Sequence, residues 1–166
     1  MDIPVIFIVG AHNSGKTTFI EKVIKILSEK GYEIVAVKHD PKGKAKTDTE
    51  GKDSWKMYNA GASQVILASP NKITSYIRAE FDYTPEFILN NLIVGKPDLI
   101  IFEGFKWFKG CDKYEVIRKD ENRELLTNPD ELKGVITDYY KFHTTFDINN
   151  PQEFVKYIED TYLRKE

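Results

Sequence analysis

The hydrophobic positions of this chain change period early. Residues 5–9 are a continuous apolar run without polar alternation, as in a strand enclosed on both faces of a parallel sheet. From Lys16 the spacing becomes helical: Ile20, Val23, Ile24 and Leu27 line one stripe, and Gly31 is placed to end the helix. Residues 32–38 read as a second strand, which makes the opening a βαβ unit. A lysine-rich stretch follows, then a short helix reaching Tyr58, with Thr47 and Glu50 at capping-box spacing. Residues 64–68 predict a third strand and residues 73–77 a fourth, nearer an edge because polar residues interrupt it. Thr84-Pro85-Glu86 opens a helix whose apolar face is Ile88, Leu89, Leu92 and Ile93; Gly95 and Pro97 stop it. Residues 99–102 predict a buried strand, and residues 114–117 and 134–137 predict shorter ones. Asn150-Pro151 begins a last helix with Phe154, Val155, Ile158 and Tyr162 inward.

Composition narrows the classes. The chain has 166 residues, 24 basic against 26 acidic side chains and one cysteine. That length suits one compact domain, expected over residues 1–166. A net charge of −2 gives no global field for gripping nucleic acid or an anionic membrane. Cys111 alone makes neither an internal disulfide nor a cysteine metal cage. No apolar run reaches the roughly 20 residues that cross a bilayer. The N-terminus carries no charged leader, so a cytoplasmic protein is expected.

Residues 10–17, Gly-Ala-His-Asn-Ser-Gly-Lys-Thr, match G-x-x-x-x-G-K-[ST] without a gap. In such a loop backbone N–H groups converge on phosphate oxygens, the lysine neutralises the outer phosphates and the hydroxyl holds Mg²⁺. The following helix turns its positive end to the anion. Here the motif follows a buried strand and opens a helix, the context it requires. Gly10, Asn13, Ser14, Gly15, Lys16, Thr17 and Thr18 are the expected binding positions. The fold class expected is α/β, a single three-layer P-loop NTPase domain with a mostly parallel sheet and an added short-strand region.

Mg²⁺ wants oxygen ligands beyond one hydroxyl and the phosphates. Glu103, directly after the apolar run 99–102, is the candidate, where aspartate is more usual. Asp40 and Asp48 follow the second strand. Either could reach the metal or orient a water; equally, Asp40 could be solvated and Asp48 could support a helix N-terminus. His39, at the strand end, is a candidate ligand contact. His12 acts through its backbone, and His143 belongs to no motif. Three scattered histidines without helical pairing give no transition-metal site.

Residues 10–17, Val37-Lys38-His39-Asp40, Asp48 with Gly51-Lys52-Asp53-Ser54, Ala60-Gly61-Ala62 and Phe102-Glu103-Gly104-Phe105-Lys106 together resemble the molybdopterin-guanine dinucleotide biosynthesis protein B (MobB) family. The P-loop is shared with many NTPases, and the later segments are the specific part. The resemblance covers about residues 3–120 well and the remainder loosely. It implies a GTP-binding homodimer with weak Mg²⁺-dependent GTPase activity. It also implies an accessory role beside the molybdenum cofactor guanylyltransferase (MobA-type), which joins molybdopterin to GMP, with molybdopterin or a molybdoenzyme as a further partner. By position, Gly10, Gly15, Lys16 and Thr17 would hold phosphates and Mg²⁺, and Glu103 would be the acid of the second nucleotide motif. Asp48 would be a site carboxylate, making Thr17, Asp48 and Glu103 the metal set, and Lys106 would join the ligand contacts. Many relatives carry histidines where this chain has Pro41-Lys42.

No Asn-Lys-x-Asp guanine reader is present, and Asp138, after Thr137 at a strand end, is the candidate for the guanine edge. A reading of another class is a P-loop small-molecule kinase. Such transfer relies on arginines and a lid, and Arg78, Arg118, Arg123 and Arg164 are the only arginines. A third reading is a non-catalytic adaptor in which nucleotide stabilises a partner-binding conformation. Residues 38–56 hold six lysines against four acids, and residues 106–119 hold five basic side chains against two acids. Both segments follow strands whose ends should flank the loop, where doubly wound folds bind ligands.

Overall fold

A computed structural model describes residues 3–80, 82–139 and 142–163. In chain order the elements are β1 (Val5–Gly10), α1 (Lys16–Glu29), β2 (Ile34–Lys38), α2 (Asp53–Asn59), β3 (Gln64–Ser69) and β4 (Lys72–Ile77). They continue with α3 (Pro85–Asn91), β5 (Leu99–Glu103), β6 (Asp112–Val116), β7 (Leu132–Thr137), β8 (Thr145–Asp147) and α4 (Gln152–Ile158). The chain divides into two compact units, Met1–His39 with Ile93–Glu166, and Asp40–Leu92.

The first unit is built on a six-stranded sheet in the order β2-β5-β1-β6-β7-β8, with every neighbouring pair parallel. β1 and residues 99–102 of β5 are apolar, because in a parallel sheet both faces are covered, whereas β6 buries two charged side chains, Lys113 beside Glu131 and Glu115 beside Arg123. On one face Ile6, Ile8, Leu99, Ile101, Tyr114 and Ile136 meet Phe19, Val23 and Leu27 of α1 and Phe154, Val155 and Ile158 of α4. On the other face Phe7 stacks on Phe102 at 4.7 Å and on Phe108 at 5.4 Å, and Phe105 meets Phe102 edge-on at 5.5 Å. Past α4 a π-helical turn, Glu159–Leu163, carries Tyr162, whose hydroxyl donates to Asp112 at 2.6 Å and contacts the Tyr114 hydroxyl at 2.8 Å. That contact ties the end of the described chain to the start of β6.

In the second unit β3 and β4 form an antiparallel pair belonging to neither edge of the six-stranded sheet. The expected third and fourth strands therefore exist, and among the described residues they pair only with each other. Val65 is the buried residue of β3, whereas Ile66 and Ile73 are exposed. The capping-box expectation fails: α2 begins at Asp53, several residues past Thr47, and Lys52 stands at its N-cap without a side-chain bond. α3 starts as expected, with Pro85 in its first turn and the Thr84 hydroxyl accepting the N–H of Phe87 at 3.2 Å. Among the described residues no helix is long and apolar enough to cross a membrane.

Candidate functional site

β1 ends at Gly10, where side-chain space is absent: a Cβ would lie 2.4 Å from the Val116 carbonyl oxygen of β6. The chain turns there, passes through Asn13 in the left-handed region (φ 60°) and enters α1 at Lys16. No side chain caps α1, so its first N–H groups stay available to an anion, reinforced by the helix dipole. Lys16 folds back over the loop, donating to the carbonyls of Ala11 at 2.5 Å and Gly10 at 3.4 Å. Burial pushes its ammonium below the ordinary lysine value, while the nearby Glu103 carboxylate opposes that shift.

The parallel register of β2 on β5 sets Lys38 directly beside Glu103. The Thr17 hydroxyl donates to the Glu103 carboxylate, 3.0 Å from each oxygen. Lys38 Nζ lies 2.8 Å from Glu103 Oε1 and 3.2 Å from Thr17 Oγ1. His12, Asn13, Gly15, Lys16, Thr17, Thr18, Lys38 and Glu103 line one crevice of about 380 Å³. A hydroxyl and a carboxylate converging on a cationic group are a donor set that suits Mg²⁺, with phosphates and water completing its coordination. No group of three or more His, Cys, Asp or Glu that could hold a metal occurs among the described residues.

A second crevice, of about 500 Å³, is lined by Asn13, Arg118, Asp120, Glu121 and Asp138. Asn13 borders both. Arg118 donates to the Ser14 carbonyl at 3.4 Å and approaches Asp138 at 3.6 Å, while Asp138 accepts the Lys119 N–H at 2.8 Å.

Of the expected positions, Asn13, Gly15, Lys16, Thr17, Thr18 and Glu103 come together at the loop crevice, and Asp138 lines the second crevice. Ser14 is buried beneath Lys16. His39 stacks on Phe105 at 4.2 Å beside Gly104, where a Cβ would come within 3.0 Å of its own. Lys106 is exposed and gives its carbonyl to Lys113. Asp40 and Asp48 belong to the second unit. There Asp40 accepts the Ala45 N–H at 2.6 Å, and Asp48 accepts Thr49 N–H and Ser54 Oγ, each at 2.9 Å. The basic segment 106–119 brings only Arg118 to the crevices, and its Lys113 is enclosed elsewhere in the sheet. Lys38 and Arg118 were missed as site residues. Both stand at or just past the carboxyl ends of strands flanking β1 or its neighbour, where open parallel sheets bind ligands.

The family model of molybdopterin guanine dinucleotide synthesis protein B (MobB) matches residues 5–138. The chain belongs to this family. A molybdopterin-guanine dinucleotide biosynthesis adapter protein of Haemophilus influenzae is 31% identical over 160 residues, covering 95% of this chain and 89% of its own. A protein of that name from Escherichia coli is 32% identical over 106 residues, covering 63% of this chain and 60% of its own. The crystal structure of Bacillus subtilis MobB superposes with a TM-score of 0.76 at 28% identity, covering 99% of this chain and all of that one (100%). The mostly parallel α/β fold is thus the MobB fold. The matched span runs from β1 through Asp138 and so takes in both crevices.

Proposed function

We propose that this chain is a nucleotide-binding adaptor of molybdopterin-guanine dinucleotide biosynthesis that takes GTP with Mg²⁺ and hydrolyses it slowly. The observation that carries the reading is the convergence of Lys16, Thr17 and Glu103 on one crevice beneath an uncapped helix N-terminus. The pathway comes from the family and from the names of its relatives. When bound, Mg²⁺ would neutralise charge on the outer phosphates. Lys16 would exchange the loop carbonyls for phosphate oxygens, and the N–H groups of the loop and of the first turn of α1 would orient the anion. Thr17 and Glu103 would hold the cation, and phosphate and water oxygens would complete its coordination.

Slow turnover is consistent with this lining. Among the described residues Glu103 is the one carboxylate lining the loop crevice, and both its oxygens are engaged by Thr17. The second crevice would take the base, with Asp138 toward the guanine edge. In this reading the protein acts as a cytoplasmic homodimer beside a MobA-type guanylyltransferase, with molybdopterin or a molybdoenzyme as further partner.

The arginines do not favour a small-molecule kinase. Arg78 is held by the Tyr58 carbonyl and ring, Arg123 by Glu115 and Glu121, and Arg118 by Ser14; Arg164 lies outside the described residues. Titration with labelled GTP and ATP in Mg²⁺ tests the proposal, with GTP expected to bind more tightly. ATP binding at least as tight would remove the guanine assignment. Transfer of the γ-phosphate to a metabolite would favour the kinase.

A further inference from the structure

Lys38 is the basic residue at the crevice that the phosphate-loop motif does not call for. Its position is imposed by β-sheet register, because Lys38 and Glu103 are partners at the ends of β2 and β5. Its ammonium bonds to the two groups proposed above to hold the divalent cation, Glu103 Oε1 at 2.8 Å and Thr17 Oγ1 at 3.2 Å. The two members of the ion pair differ in freedom: the Lys38 side chain is 61% exposed, Glu103 only 14%. A flexible four-carbon stem can carry the charge away, while the carboxylate stays fixed by Thr17.

We propose that Lys38 is a tethered counter-cation that occupies the metal seat and imposes an order of binding, nucleotide before metal. The proposal rests on the reading of this crevice as a nucleoside triphosphate site. With Lys16 and Lys38 against one carboxylate, the lining carries a net positive charge. A free divalent cation entering that crevice meets like charge and must displace an ammonium that has no other acceptor among the described residues. A polyphosphate entering first meets an attractive field and supplies oxygens on which Lys38 can settle, which frees Glu103 and Thr17 for the metal. The same lysine thus repels metal from the empty site and helps to hold nucleotide in the absence of metal.

The test compares the full chain with Lys38→Met and Lys38→Arg, using Mn²⁺ as a paramagnetic probe and GTP as ligand. In the wild type, Mn²⁺ alone should bind weakly by electron paramagnetic resonance, and GTP should bind in EDTA. In Lys38→Met, Mn²⁺ alone should bind roughly fivefold to tenfold more tightly and GTP in EDTA by a similar factor more weakly, the value of one charge-assisted bond at a partly exposed pair. Lys38→Arg, which keeps the charge, should bind Mn²⁺ as weakly as wild type. Unchanged Mn²⁺ affinity in Lys38→Met, with a native circular dichroism spectrum, overturns the proposal. Failure of the wild type to bind GTP at all would instead overturn the nucleotide reading, and the Mn²⁺ comparison would still decide the role of Lys38.

Discussion

Two lysine–glutamate pairs sit at opposite ends of the same parallel sheet, with nearly equal bond lengths and different consequences. At the starting end, Lys113 of β6 lies 2.7 Å from Glu131; it is 2% exposed and also donates to the carbonyls of Lys106 and Phe108. At the finishing end, Lys38 of β2 lies 2.8 Å from Glu103 with most of its side chain in solvent. The first ammonium is enclosed and bonded by backbone on several sides, so it has nowhere to go. The second is held by a carboxylate and a hydroxyl, groups that a ligand cation would also choose. Enclosure, rather than the chemistry of the pair, divides a structural clamp from an exchangeable contact.

The contrast is sharpest in stability. Lys113→Met should cost about 3 kcal/mol, because an enclosed ammonium that bonds Glu131 and the carbonyls of Lys106 and Phe108 is lost. Lys38→Met should change stability by less than about 1 kcal/mol, as exposed pairs do. Urea unfolding of both variants checks this, and equal losses would erase the distinction. Lys16 extends the comparison, since its present acceptors are loop carbonyls that a phosphate would replace. Lys16→Ala should therefore weaken nucleotide binding on the order of a hundredfold, the worth of charge-assisted bonds to phosphate, and leave the melting temperature without nucleotide nearly unchanged. A melting temperature that fell with affinity would make Lys16 a clamp as well.

The smallest effect is on acid stability. Lys113 beside it, helped by the Gly110 N–H, holds the Glu131 carboxyl below the usual carboxylate range. A carboxyl lowered in the folded state contributes stability above its ordinary value of 4.5, and that contribution disappears as pH falls through the lowered folded value. Glu131→Gln should accordingly show a shallower loss of stability than wild type as pH falls below about 5. Parallel urea midpoints across that window would show that Glu131 does not act as part of the clamp.

Much of the first unit was legible in the sequence because its strands are apolar runs and its phosphate loop is a contiguous motif. β1, α1, β2 and β5 lie where the pattern predicts, and Glu103 closes its run at the loop crevice. β8 escaped notice because it is three residues long and shows one buried side chain, Phe146. β3 and β4 were readable as strands from β-branched content, but propensity does not say which sheet a strand joins. The Lys38–Glu103–Thr17 cluster was hidden for a different reason: its members are distant in the chain, and only the β2–β5 register brings the two strand ends together.

Gly10 links the loop to the sheet in a way that bears on descent. Its missing side chain makes room for the carbonyl of Val116, its partner in the β1–β6 ladder. Any larger residue there would force strands apart before it altered an affinity. Lys16 has no comparable duty, because it holds only carbonyls of its own loop and one hydroxyl. If the crevice takes a nucleotide, as proposed, a descendant that abandoned it would keep Gly10 and be free to lose Lys16. Within one short motif, the glycine would then preserve the history of the architecture and the lysine that of the proposed ligand.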